Sequence, residues 1–225
     1  MRQLPLLTFL LPLLLCPAAA LAAGGEKFDF QLGREYLQLP GTPVLSEGDD
    51  GRIEVLAFFW YNCDHCYRLE PLISAWADRL PADVRFRRLP VVFNPAVAFH
   101  ARIFMTLRAL GLGPQADMTV FRLFHEQRRP VNRPEDLPRL ANSLKVNEKK
   151  LIETFNSTEV DIHMNQLDQL MLAYDLPGVP SMVIDGRYLF DIGTAHGPDG
   201  YLQLADLLIA EEREYRGRNG GRLKK

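Results

Sequence analysis

The sequence is poor in cysteine, with three in 225 residues. One of them, Cys16, lies in the apolar run near the N-terminus. A small disulfide-stapled secreted scaffold is therefore excluded, because such folds rest on several bridges. Charge of one sign is also lacking. The 26 basic and 28 acidic residues give a formal net charge of −2, which offers no electrostatic case for nucleic acid. No internal repeat is evident. Core-forming material is present in ordinary amount: 47% of residues are hydrophobic and 24% charged, enough to bury a sizeable core. The length allows one domain with an insertion or two small domains.

The N-terminal run reads as an export signal. Arg2 supplies positive charge, Leu4 to Cys16 is an apolar stretch interrupted by Pro5 and Pro12, and Ala20-Leu21-Ala22 is a small-x-small cleavage site. The run is too short and too broken by proline to be a good membrane anchor. Lipidation of Cys16 is disfavoured by the bulky Leu15 before it. Residues 1–22 are therefore expected to be removed, leaving Cys63 and Cys66 as the two cysteines of the mature chain. Export carries that chain to an oxidising compartment.

Those two cysteines sit where redox chemistry needs them. An apolar run, Val55 to Tyr61, leads into Cys63-Asp64-His65-Cys66, and a helical pattern follows in Tyr67, Leu69, Leu72, Ile73, Trp76 and Leu80. The spacing puts the first sulfur at a helix N-terminus, where unpaired N–H groups and the helix dipole favour negative charge. A thiolate there is a nucleophile. Cys66, one turn on, can close a disulfide and release whatever Cys63 has captured. A loop this small gives little structural cross-linking, so a reactive pair is the better reading. A zinc site needs about four ligands, and His100, His125, His163 and His196 show no paired ligand spacing. No metal and no cofactor is expected. His65, between the cysteines, favours the Cys63 thiolate.

Along the chain, Tyr36, Leu37 and Leu39 suggest a short strand. Gly48 to Gly51 is a turn, and Ile53 to Trp60 is a central strand covered on both faces. The first long helix is expected over Cys63 to Leu80, with a kink at Pro71. Val84 to Val92 is a second core strand, with Val84, Phe86 and Arg88 on one face. From Pro95 to Ala173 the pattern is helical, with Asn147 and Ser157 as N-caps. Asp185-Gly186 between two apolar runs marks a hairpin, and Tyr201 to Tyr215 a last amphipathic helix. Residues 216–225, Gly-rich and basic, read as a disordered tail. The expected class is α/β, one mixed sheet built from residues 23–94 and 174–215, with 95–173 as an inserted helical domain.

Phe58-Phe59-Trp60-Tyr61-Asn62-Cys63-Asp64-His65-Cys66-Tyr67, Gly178-Val179-Pro180-Ser181 and the helical insertion between them resemble the DsbA family of bacterial periplasmic thiol–disulfide oxidases, within the thioredoxin superfamily. The resemblance covers nearly all of the mature chain. It implies a thioredoxin-like fold with a helical insert. It also implies an attacking and leaving sulfur at Cys63, a buried resolving sulfur at Cys66, and a cis Pro180 facing the disulfide. Reduced exported proteins would be the substrates, lying along Val179-Pro180, with re-oxidation by a membrane partner resembling DsbB. The setting would be the periplasm. No added dimerisation segment is evident, so a monomer is expected.

The chain departs from the family pattern at two places. Asp64 stands where the family has proline, and its charge should oppose a thiolate on Cys63. Two like charges ~6 Å apart at an effective dielectric of ~20 repel by roughly 2–3 kcal/mol, less where solvent screens them. Ala57 stands where the family carries a buried glutamate, and Glu54 lies three residues earlier, so no proton-relay role carries over. Asp64 motivates a second reading, a reductase or isomerase on the same scaffold. A third, from another class, is a metal-binding module using Cys63, His65 and Cys66.

Overall fold

The computed structural model describes residues 28–40 and 51–220. The expected signal segment, residues 1–22, and all but Gly51 of the Gly48–Gly51 turn lie outside the described residues. The fold is organised by β2 (Ile53–Phe59), all seven residues of which are buried. Its side chains alternate between two cores. Ile53, Val55 and Ala57 point to one, and Leu56 and Phe58 to the other. A strand buried on both faces needs apolar residues at nearly every position, which is what its sequence supplies.

The other strands are β1 (Leu37–Gln38), β3 (Val84–Pro90), β4 (Ser181–Ile184) and β5 (Tyr188–Asp191). Their order in the sheet is β1-β5-β4-β2-β3. β2 and β3 run parallel, with Val55 opposite Phe86, and the remaining pairs are antiparallel. A parallel pair needs a crossover, and α1 (Asp64–Ala77) provides it. The β4–β5 pair is a tight hairpin. Asp185 and Gly186 both take positive φ, 53° and 63°, the primed-turn geometry that suits Asp-Gly.

Between β3 and β4 run α2 (Pro95–Ala109), α3 (Pro114–His125), a 3-10 turn (Pro134–Asp136), α4 (Leu137–Leu144), α5 (Glu148–Phe155) and α6 (Thr158–Tyr174). They close over the Leu56/Phe58 face of the sheet. Their starts are set by local chemistry. The Asn94 side chain accepts from the N–H groups of Ala96 and Val97, Asn147 from Lys150, and Ser157 from Val160. The opposite face is covered by α1 and by α7 (Gly197–Gly220) through Leu69, Ile73, Trp76, Tyr201, Leu204 and Leu208.

Two expectations need correction. The first helix begins one residue later, with Cys63 as its N-cap, and stops at Ala77 rather than Leu80. More consequentially, residues 216–220 of the expected disordered tail belong to α7. The physical reason is tertiary. Arg216 donates to Asp185 at 3.0 Å, to Glu212 at 3.3 Å and to the Gly51 carbonyl at 2.8 Å. Residues 221–225 lie outside the described residues. Among the described residues no helix is long and apolar enough to cross a membrane.

Candidate active site

β2 ends at Phe59, and the next two residues, Trp60 and Tyr61, are held in place before the cysteines begin. The Trp60 indole N–H donates to His100 Nδ1 at 2.7 Å. His100 Nε2 must then carry the proton that it shares with Asn132 Oδ1 at 3.0 Å. Burial pushes the His100 pKa down, so this ring is the neutral tautomer. The buried Tyr61 hydroxyl donates to Asp117 Oδ1 at 2.6 Å, and Arg108 reaches Asp117 Oδ2 at 2.9 Å. His125 Nε2 donates to the Tyr61 carbonyl at 2.8 Å. Three contacts with α2 and α3 thus fix the approach to the cysteines. Burial raises the Asp117 carboxyl to about 6, outweighing Arg108, and lifts the Tyr61 phenol well above its ordinary range.

Cys63 adopts an extended conformation (φ −92°, ψ 113°) at the N-cap of α1, and its sulfur accepts the Cys66 N–H at 3.1 Å. Serine, threonine, aspartate and asparagine are preferred at this position; here a sulfur takes their part. Cys63 and Cys66 form a disulfide with Cα atoms 5.2 Å apart, inside the usual range. Both residues are largely buried, Cys63 at 9% exposure and Cys66 at 4%. The Val179 carbonyl oxygen lies 3.7 Å from Cys63 Sγ, although the two are 116 residues apart in sequence. The Val179–Pro180 bond is cis, as the resemblance implies.

His65 and Asp64 are exposed on the first turn of α1. Asp64 is not an isolated charge: Arg68 stands 2.7 Å from it, one turn on. The opposition to a Cys63 thiolate expected from Asp64 alone is therefore partly offset. Glu54 lies away from the cysteines. It meets Arg87 at 3.0 Å and Arg85 at 3.4 Å, and burial raises its carboxyl despite them.

Sequence reasoning missed one acidic residue of this region. Glu70 is 7% exposed and bound to Arg88 of β3, with Oε1 at 2.7 Å and Oε2 at 3.2 Å, while Ser74 Oγ donates to Oε1 at 2.9 Å. The signal was available, since Glu70 falls on the same helical stripe as Cys66, Leu69, Ile73 and Trp76. A charge on a buried stripe needs a partner, and the sequence pattern places Arg88 on one face of its strand with Val84 and Phe86. Tyr67 completes the surroundings. Its ring stacks on His125 at 4.7 Å, and its hydroxyl donates to Glu126 at 2.5 Å. Among the described residues no group of three or more His, Cys, Asp or Glu is arranged to hold a metal ion.

A bonded Cys-x-x-Cys at a helix start, with the carbonyl of a distant proline-preceding residue against its outer sulfur, is a site for thiol–disulfide exchange. Carried on this sheet, it defines the class: a thiol–disulfide oxidoreductase of thioredoxin-like fold. Comparisons with known proteins agree. Residues 98–208 match the family model described as a DSBA-like thioredoxin domain. The thiol:disulfide interchange protein DsbA of Azotobacter vinelandii is 38% identical over 185 residues, covering 82% of this chain and 86% of the relative. That of Pseudomonas aeruginosa is 37% identical over 204 residues, 91% of this chain and 96% of the relative. The crystal structure of Pseudomonas aeruginosa DsbA superposes with a TM-score of 0.79, at 38% identity, over 84% of this chain and 97% of that one. The chain belongs to the DsbA family of thiol:disulfide interchange proteins.

Proposed function

We propose that this protein donates its Cys63–Cys66 disulfide to reduced exported proteins in the periplasm, with Cys63 as the sulfur attacked and Cys66 as the buried leaving sulfur. A substrate thiolate attacks Cys63 Sγ. The Cys63–Cys66 bond breaks and a mixed disulfide forms. A second substrate thiolate then attacks the substrate sulfur of that bond, and Cys63 leaves as a thiolate. The substrate has gained a disulfide, and the two electrons reside on the Cys63/Cys66 dithiol. Val179 and Pro180 flank the attacked sulfur, where an extended substrate segment would lie, and backbone pairing there gives broad specificity. His65 adds to the stabilisation of the leaving thiolate. A membrane protein resembling DsbB would restore the disulfide. The working unit is a monomer, with residues 95–173 as a helical domain inserted into the thioredoxin-like one.

The observation that carries this reading is the 3.1 Å approach of the Cys66 N–H to Cys63 Sγ at the start of α1. A backbone donor and a helix N-terminus aimed at one sulfur stabilise its anion in the reduced protein. Stabilising the reduced form makes the disulfide a stronger oxidant. Equilibration against defined glutathione mixtures tests it. The expected reduction potential lies well above about −270 mV, the thioredoxin value. A match to thioredoxin would replace the donor reading with the reductase one. The Arg68 contact to Asp64 weakens the case for that alternative.

A further inference from the structure

A cavity of about 490 Å³ runs along the outer edge of β3, beside α2 and α6. Cys63, Cys66, Val179 and Pro180 take no part in its lining, so it is separate from the exchange site. Its size falls in the range of roughly 300–1,000 Å³ found for small-molecule sites, far above the voids that side-chain packing leaves in a core. Both faces of the edge strand contribute. Phe86 and Arg88 come from one face, and Arg87 and Leu89 from the other. Phe104 and Met105 of α2 and Leu167 and Leu170 of α6 supply the rest of the apolar wall. Leu89 and these four helical residues are each at most 8% exposed, so the wall is recessed.

The charge in this lining is of one sign. Arg87, Arg88 and Arg108 reach it, together with His163 and Gln166, and no carboxylate does. The acids that pair with these arginines stand outside the lining. Glu54 meets Arg87 at 3.0 Å, Glu70 meets Arg88 at 2.7 Å and Asp117 meets Arg108 at 2.9 Å. A guanidinium carries several N–H donors in a planar fork, so one carboxylate does not exhaust it. Arg108 shows this directly. Its Nη2 donates to Asp117 and to the Gly113 carbonyl, and its guanidinium carbon lies 4.6 Å from the centre of the Phe104 ring. Its Nε is buried and has no hydrogen-bond partner among the described residues. Buried donors are rarely left so, and for a charged donor a carboxylate is the strongest acceptor.

We propose that this cavity binds a free anionic amphiphile, a carboxylate on an unbranched aliphatic chain, with the head group on Arg108 and the chain among Phe104, Met105, Leu167 and Leu170. Each half of such a ligand answers one half of the wall. The hydrocarbon covers recessed apolar surface, which is favourable in proportion to the area taken from water. The carboxylate meets the arginines and supplies the acceptor that Arg108 Nε lacks. A small anion without a chain would leave the apolar wall wet. A cationic head on the same chain would face guanidinium groups of its own sign.

Titration of the full chain with sodium decanoate at about pH 7 tests this, read by calorimetry and by the Met105 methyl resonance after isotope labelling of the methionines. One decanoate should bind per chain and move that resonance. Decyltrimethylammonium, with the same tail and the opposite charge, and acetate, with the head alone, should each bind at least about tenfold more weakly. Arg108→Gln should weaken decanoate binding by about tenfold. That change also deprives Asp117 of its partner, so the exposed Gln166 provides variants that disturb no buried pair. Gln166→Glu should weaken decanoate by about threefold, and Gln166→Lys should tighten it by a similar factor. Equal affinity for decanoate and decyltrimethylammonium would overturn the proposal. So would a decanoate affinity that neither Gln166 change moves, or a Met105 resonance that stays in place at saturation. Sedimentation with phosphatidylglycerol vesicles that decanoate does not diminish would assign this face to a lipid surface and overturn it as well.

Discussion

Asp117 offers a sharp test of the electrostatics behind the active-site loop. Its side chain is 2% exposed, and it faces Arg108 at 2.9 Å and the Tyr61 hydroxyl at 2.6 Å. Two effects compete: Arg108 and Tyr61 favour the carboxylate, and burial disfavours it. Burial wins, placing the carboxyl at about 6 against an ordinary value of 3.8. A shift of this size corresponds to about 3 kcal/mol. The sign follows from proton counting. Between about pH 4 and 6 the folded chain holds a proton that the unfolded chain has released. The contribution is therefore fully present below about pH 4 and lost as pH rises through about 6. Asp117→Asn carries no such proton. The stability of the parent relative to this variant, from denaturant midpoints at pH 3.5, 5, 6 and 7.5, should fall by about 3 kcal/mol across that range. The lost Arg108 pair shifts all points together and leaves the trend untouched. A relative stability that stays flat, or that grows with pH, would show that Arg108 outweighs burial and would refute the reasoning.

Two further outcomes are expected. Arg68→Ala leaves the Asp64 carboxylate without its 2.7 Å partner beside Cys63, so alkylation of the reduced protein at pH 6 should slow by about two- to threefold in low salt. Added salt of about 0.5 M should erase most of the difference, because the pair is exposed. Truncation after Tyr215 removes Arg216 from Asp185 and Glu212, whose side chains are 13% and 2% exposed. Discounted for the partial exposure of Arg216, the loss should be about 1–3 kcal/mol, read from the denaturant midpoint; a truly disordered tail would leave that midpoint unchanged.

Much of the fold was legible because its signals are local. The apolar run before Cys63, the Asp185-Gly186 turn and the caps at Asn147 and Ser157 each act within a few residues, and each is found where the pattern placed it. The end of α7 was not legible. Its glycines argue against a helix, and the groups that hold it, Asp185 and the Gly51 carbonyl, lie 31 and 165 residues away in sequence. The site divides the same way. Cys63 and Cys66 announce themselves by spacing. Tyr61 hides its bond to Asp117, 56 residues distant, behind an identity that reads as ordinary core. Asp64 was legible as a charge but not as half of a pair. Glu70 was written into a buried stripe, yet its meaning depended on Arg88 across the sheet.

The parallel edge of the sheet carries a last consequence. β3 is the outermost strand on that side, and its sequence, Val-Arg-Phe-Arg-Arg-Leu-Pro, sets three arginines and a terminal proline along the border. Glu54 anchors Arg85 and Arg87, and Glu70 anchors Arg88, so the guanidinium groups are tethered rather than swept aside. At the far border β1 is only two residues long. Neither rim is an inviting template for strand addition. A catalyst that spends its working life among half-folded polypeptides would thereby meet them at its sulfur without being zipped into their aggregates.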